Sequence, residues 1–129
     1  MKYLNIAMCG LMLLFALVQY NDPDAIFWIT VYIVPAICAG AAAFHLQLPG
    51  NRVLQGLFGS CLVLAVIGSV VFWPRTPGFW RIDVWWETEA AREGMGMLIA
   101  TLAISIAVVT VAVETARRRG RSDGRNSAT

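Results

Sequence analysis

Two short polar motifs carry most of the side chains in this sequence that could bind a charged ligand. The first is the Asn-Asp-Pro-Asp segment at residues 21–24, and the second is the Glu-Ala-Ala-Arg-Glu segment at residues 89–93. Carboxylates are hard oxygen ligands for cations, and an arginine guanidinium binds phosphate through paired hydrogen bonds. If the two motifs meet, they predict a binding site for a small cation, a lipid headgroup or a substrate. The candidate ligand-binding residues are Asn21, Asp22, Asp24, Glu89, Arg92 and Glu93.

Each motif also has a purely structural explanation. Asp22 can cap a following helix, and Pro23 suits a first helical position because it has no amide hydrogen. Glu89 and Arg92 can form an exposed pair of little energetic value at a helix start. Alternatively, Arg92 can bridge to Asp22 or Asp24 and clasp the last helix to the first turn. The sequence leaves these interpretations open beside the binding site.

The elements that hold the two motifs are long apolar runs. Hydrophobic residues make up 58% of the 129 residues and charged residues only 14%, whereas a soluble domain has about 25% charged residues. A helix needs roughly 17 to 25 apolar residues to cross a bilayer, and the runs that reach this length are about 3–20, 25–44, 53–73 and 94–113. The sequence therefore predicts an all-α fold, an integral membrane four-helix bundle over residues 1–114.

The distribution of charge orients the predicted bundle. Four spans place both termini on one side of the membrane, and that side holds most of the ten basic residues, namely Lys2, Arg52, Arg117, Arg118, Arg119, Arg121 and Arg125. The positive-inside rule then puts both termini in the cytoplasm and the acidic motifs outside. We expect a multi-pass protein of the inner (plasma) membrane. Residues 115–129 are predicted to form a basic, disordered cytoplasmic tail that lies against membrane lipids and binds no nucleic acid.

The connection between the third and fourth spans is rich in tryptophan. Trp80, Trp85 and Trp86 lie within it, and tryptophans at this depth normally mark the headgroup level. Their density predicts a short amphipathic cover over the mouth of the bundle. Asp83 is expected to start a helix that runs without a break into the fourth span.

Other residues concern packing inside the membrane. Pro35 is predicted to kink the second span. Small residues spaced in fours predict close helix packing, either within the bundle or against a partner. These small residues are Ala36, Gly40, Gly56, Ser60 and Gly68.

The sequence lacks the signatures of familiar reactions. All three cysteines, Cys9, Cys38 and Cys61, fall within predicted spans, which favours packing over disulfides or a metal site. The single histidine, His45, is expected to cap the second helix. No nucleophile has a base beside it, and no glycine loop of the phosphate-cradling kind is present. These observations disfavour an enzyme without excluding one, and they identify no cofactor and no metal.

Residues from both halves of the chain resemble the transmembrane protein 220 family. The resemblance begins at the Val-Gln-Tyr-Asn-Asp-Pro-Asp segment of residues 18–24 and continues with Trp28, Tyr32 and Pro35. It returns at residues 89–93 and Gly96, which match that family's Glu-x-x-Arg-Glu-x-x-Gly stretch. The resemblance implies a small multi-helix membrane protein with its polar motifs in these places, and it brings no reaction with it.

The sequence thus favours a non-enzymatic membrane protein that binds a cation or a lipid headgroup at an acidic mouth on the outer face. The main alternative is a structural or accessory subunit of a larger membrane complex, or a homo-oligomer. A membrane enzyme that acts on a lipid is the second alternative.

Overall fold

A computed structural model of the chain describes residues 1–44 and 50–126, with side chains through residue 123. The helices are α1 (Lys2–Val18), α2 (Ala25–Phe44), α3 (Arg52–Val71), α4 (Ile82–Glu87) and α5 (Glu89–Asn126), and a 3₁₀ turn (Gln19–Asn21) follows α1. Four segments are long and apolar enough to cross a membrane, and they contain α1, α2, α3 and most of α5. The prediction of an all-α membrane fold is confirmed. His45 lies outside the described residues.

The helices α1 and α2 form a tight antiparallel pair. Phe15 near the end of α1 contacts Tyr32 early in α2, with ring centroids 5.4 Å apart. Cys9, nearer the start of α1, lies beside Gly40 near the end of α2. The main core lies between this pair and α5. It consists of Met8, Met12, Ala16, Trp28, Tyr32, Ala36, Ala39, Met97, Ala100 and Ala103.

Alanines on α2 and α5 allow the three helices of the main core to approach closely. Ala39 and Ala103 are both fully buried, and small side chains at such positions let helix backbones pack at short distance in a membrane. A buried polar contact crosses the bundle, in which the Asn5 side-chain amide donates to the Thr110 hydroxyl at 2.8 Å. It ties the start of α1 to the middle of α5.

The helix α3 packs chiefly on α5. The Thr101 hydroxyl lies 3.0 Å from the Ala65 carbonyl oxygen and 2.7 Å from the Ser69 hydroxyl. Gly68 faces Met97, whose sulfur would lie 2.8 Å from a Cβ at that position. Gly56 and Ser60, which belong to the same predicted small-residue face, are exposed. The close packing of α3 therefore uses the Gly68 end of that face.

Two features of the last helix differ from the sequence prediction. Thr88 has extended backbone angles, φ −119° and ψ 113°, so α4 ends before α5 begins and no continuous helix runs from Asp83. The acid at Asp83 pairs with Arg81 at 2.7 Å instead.

The helix α5 also continues to Asn126, where disorder was predicted from residue 115. Alanine and arginine are strong helix formers, and Glu114 pairs with Arg118 one turn later at 3.7 Å, which supports continuation of the helix. Over the described residues of the tail, the structure therefore has a helix where disorder was predicted, and residues 127–129 lie outside the description.

Candidate functional site

The two polar motifs meet in a cleft at one end of the bundle, where α1 ends and α2 and α5 begin. This end is called the acidic end below, and the opposite end, which carries the start of α1, is called the basic end. The cleft is lined by Gln19, Asp22, Trp28, Tyr32, Glu89, Arg92 and Glu93. Its enclosed volume is about 10 Å³, close to the least that admits one water-sized group.

The turn after α1 places Asp22 at the cleft. The Asp22 backbone N–H donates to the Gln19 carbonyl at 3.0 Å, and the Asp22 carbonyl accepts from Ala25 N–H at 3.1 Å. One Asp22 carboxylate oxygen accepts from the backbone N–H of Asp24 at 3.2 Å. This is the geometry of a short aspartate turn, so Asp22 shapes the connection and lines the cleft at the same time.

The first turns of α5 supply the remaining charged groups. Arg92 and Glu93 lie three and four residues after Glu89, which puts both beside it on one helix face. Ala91 on the opposite face is fully buried and holds this part of the helix against the bundle. The helix start is therefore anchored, and its charged face is turned to the cleft.

Two glycines allow α5 to lie this close to its neighbours. A Cβ at Gly94 would lie 2.6 Å from the Phe72 carbonyl oxygen and 2.7 Å from the Pro74 ring. A Cβ at Gly96 would overlap the Tyr32 hydroxyl. The spacing of the site thus depends on both glycines, one against the end of α3 and the other against α2.

An aromatic cluster forms the floor of the cleft. Trp28 and Tyr32 are 3% and 4% exposed, and their stacked rings have centroids 6.1 Å apart. Phe72 closes the cluster from α3, with its ring 5.3 Å from that of Trp28. Trp28 and Glu93 line the same cleft, and the Trp28 indole lies near the Glu93 carboxylate. The acid therefore lies beside a rigid ring.

The charges around Glu93 are unbalanced. Asp22 and Glu89 are like charges near its carboxylate, and Arg92 is the single opposite charge near it. No ion pair within 4 Å joins Arg92 to Asp22, Asp24, Glu89 or Glu93, since the ion pairs found in residues 1–44 and 50–126 are those of Arg81 and Arg118. The structure does not contain the proposed clasp from Arg92 to the first turn, nor a direct pair between Glu89 and Arg92.

The structure brings together four of the six candidate ligand-binding residues, namely Asp22, Glu89, Arg92 and Glu93. Asn21 and Asp24 are exposed and do not line the cleft. The sequence motifs alone missed Gln19, Trp28 and Tyr32. The spacing of Trp28 and Tyr32, one turn apart directly after the polar turn, is the signal that could have placed them below it.

The predicted aromatic cover lies elsewhere. Trp80 and Trp86 are 68% and 80% exposed, and Trp85 donates from its indole N–H to the Phe79 carbonyl at 2.6 Å. None of the three tryptophans lines the cleft. The short helix α4 and its flanking turn carry them beside the bundle mouth, where exposed tryptophans suit the headgroup level.

Within the described ranges of the chain, no group of three or more His, Cys, Asp or Glu side chains is placed to hold a metal ion. Three carboxylates share the cleft with a guanidinium and two aromatic rings. Such a set can bind a ligand that carries both an ammonium and a phosphate.

Fold and site together define a small helical membrane protein with four candidate spans and a polar cleft at one end. Residues 11–109 match the family model described as "Transmembrane family 220, helix". This match covers most of the chain, so the chain belongs to the transmembrane protein 220 family, and the predicted resemblance is confirmed. Both polar motifs lie inside the matched region.

A named relative agrees with the family match. The chain is 52% identical over 66 residues to Transmembrane protein 220 of Xenopus laevis. The aligned part is 51% of this chain and 36% of that relative, so the chain spans about a third of the relative's length. No solved structure matches the chain.

Proposed function

We propose that this membrane protein binds a lipid headgroup at the acidic end without catalysing a reaction. The observation that carries the proposal is the convergence of Asp22, Glu89, Glu93 and Arg92 on one cleft, with no ion pair within 4 Å among them. Opposite charges that share a cleft without pairing are available to a ligand that carries both signs.

An aminophospholipid headgroup has the matching chemistry. Its ammonium is attracted by the three carboxylates, and its phosphate accepts hydrogen bonds from a guanidinium. The enclosed part of the cleft admits one small group, which suits a terminal ammonium better than a sugar or a nucleotide. A headgroup is preferred to a metal cation because the described residues hold no group of acids placed to ligate a metal.

The charge distribution supports an orientation for this site. Most arginines lie at the basic end and most acids at the acidic end, so the positive-inside rule favours a cytoplasmic basic end in the inner (plasma) membrane. The cleft then faces the outer leaflet, and membrane lipids are the partners that reach it.

The test is native mass spectrometry of the full chain extracted gently from its membrane. We expect a phosphatidylethanolamine adduct on the wild type, loss of that adduct in Glu93→Gln, and its retention in Glu87→Gln. Glu87 is the matched control, because it is an exposed acid near the same mouth that does not line the cleft. Phosphatidylglycerol, which has no ammonium, and Mg²⁺ are tested separately.

The results separate the possible ligands. A phosphatidylglycerol adduct that is also lost in Glu93→Gln would contradict recognition of the ammonium. Retention of Mg²⁺ that depends on Glu93 would replace the headgroup with a cation. If neither variant changes the adducts, the cleft is not the binding site.

A groove on the side of the bundle favours a second candidate function, that of an accessory subunit or homo-oligomer. The groove has a volume of about 450 Å³ and lies between α2 and α3, with α5 at its back. Its lining is almost entirely apolar and includes Pro35, Ile67 and Gly68. A groove of this kind can receive an apolar helix from another chain, because helices in membranes associate by close packing.

This second candidate has its own test. Ile67→Trp fills the groove, whereas Val66→Trp on the neighbouring exposed position does not line it. We expect the mass of a gently extracted assembly to fall only in Ile67→Trp if a partner helix occupies the groove. An unchanged mass in both variants would leave the headgroup-binding protein as the single candidate.

A further inference from the structure

The basic end of the bundle contains a second polar cleft, formed by three arginines from two helices. Arg52 is the first residue of α3, and Arg118 and Arg119 lie on the extension of α5. Together with Gly50, Gln55 and Thr115 they line a volume of about 240 Å³. This arginine cleft shares no lining residue with the cleft at the acidic end.

Its geometry depends on the helical extension of α5. Because α5 continues past the bundle, its arginines are held at fixed positions beside the start of α3. The Gln55 side-chain amide donates to the Thr115 hydroxyl at 3.3 Å and joins the two helices at the cleft. One turn deeper, Phe58 and Val111 belong to the same buried cluster. The arginine cleft is therefore positioned by two packed helices.

The positive charge of the arginine cleft is poorly compensated. Glu114 approaches Arg118 through the guanidinium Nε atom at 3.7 Å, which is beyond hydrogen-bond distance. In the described part of the chain, neither Arg52 nor Arg119 forms an ion pair within 4 Å. The first amides of α3 are already used, since the Asn51 side chain accepts from Val53 and Leu54. The arginine side chains therefore supply the charge available to a ligand.

We propose that the arginine cleft binds a phosphate group, with the headgroup of an anionic phospholipid as its source. Arginines recognise phosphate through paired hydrogen bonds, and basic residues beside a span are attracted to anionic lipid. The cleft lies at the start of α3 and beside the arginine-rich part of α5, and we expect the headgroup phosphates of the bilayer at this depth. This site is separate from the proposed function at the acidic end, and it takes an anionic ligand rather than a zwitterionic one.

The test measures binding of water-soluble dihexanoyl phosphatidylglycerol to the full chain in a neutral detergent at physiological salt. We expect Arg52→Gln combined with Arg118→Gln to weaken binding by about tenfold more than the control, since each removes a charge-assisted contact. The matched control is Arg117→Gln combined with Arg121→Gln, which removes the same charge from the same end but does not line the cleft. Equal losses in the two double variants would overturn the proposal, because they would show attraction by net charge alone.

Two further measurements keep the result interpretable. Arg52→Lys combined with Arg118→Lys keeps the charge and the fold while removing the paired geometry, so we expect intermediate binding, and wild-type binding would contradict recognition by guanidinium. Glu93→Gln is expected to bind phosphatidylglycerol like the wild type, which separates this site from the one at the acidic end.

Competition with inorganic phosphate identifies the source of the bound group. If inorganic phosphate displaces the lipid at equal concentration, free phosphate is the ligand. If it displaces the lipid only in large excess, the lipid headgroup is the ligand. No measurable binding of either probe would overturn the proposal.

Discussion

At the scale of single residues, the candidate site depends on two glycines, which have no side chain, as much as on its charged residues. Glu93 and Arg92 supply charge, but Gly94 and Gly96 allow the helix that carries them to touch α2 and the end of α3. The hydroxyl of Tyr32 occupies the space that a side chain at Gly96 would need. The position of Glu93 over Trp28 therefore follows from two glycines next to it in the chain.

This dependence predicts that Gly96→Ala destabilises the protein. The added methyl group would overlap the Tyr32 hydroxyl, and overpacking of a buried contact costs about 1–3 kcal/mol. Unfolding in a mixed micelle, followed by circular dichroism, measures the free energy. Gly59→Ala is the control, because no atom lies within 4 Å of the added group, and alanine is the better helix former. Equal stability of Gly96→Ala and Gly59→Ala would contradict the packing described for Tyr32.

At the scale of elements, α2 and α3 are joined mainly through α5. The apolar groove separates them along much of their length, and they come together near the basic end. There Cys38 of α2 is buried, and Cys61 of α3 packs against the same cluster. Both cysteines are free. The pair marks the place where the groove closes.

The packing of Cys61 near Cys38 predicts a specific cross-link. Mild oxidation with copper phenanthroline in a detergent micelle is expected to join Cys38 to Cys61, because Cys61 packs against the buried cluster that contains Cys38. Mass spectrometry of the digested protein identifies the linked peptides. Cys9→Ser should leave the cross-link unchanged, since Cys9 contacts Gly40 instead. A product that joins Cys9 to Cys38 or to Cys61 would contradict this arrangement of helices.

At the scale of the whole molecule, the fold could be predicted because it follows from the lengths of the apolar runs in the sequence. Four runs long enough to span a bilayer leave no other compact solution, and the all-α membrane fold is confirmed. The meeting of the two motifs also followed from the count of spans, which places Asp22 and Glu93 at one end. Family membership, predicted from the same motifs, is confirmed by the match over residues 11–109.

The details in which the structure differs from the prediction depend on local backbone angles and on packing. The backbone angles of the short turn between α1 and α2 decide whether Asp22 or Asp24 faces the cleft. The sequence pattern does not determine these angles. The path of the loop after α3 determines where Trp86 points. Disorder after residue 114 was predicted from composition, because the segment is charged and contains glycine. The Glu114–Arg118 pair and helix propensity instead continue α5 through this segment.

The orientation of the whole molecule is the last prediction. In a chain whose three cysteines are replaced by serine, Asp24→Cys should react with a membrane-impermeant maleimide on intact cells, because the proposed orientation places the acidic end outside. Ser122→Cys should react only after the membrane is opened. Both positions are exposed, so accessibility depends on the side of the membrane. The reverse pattern would contradict the positive-inside orientation and would place the arginine cleft, rather than the acidic one, against the outer leaflet.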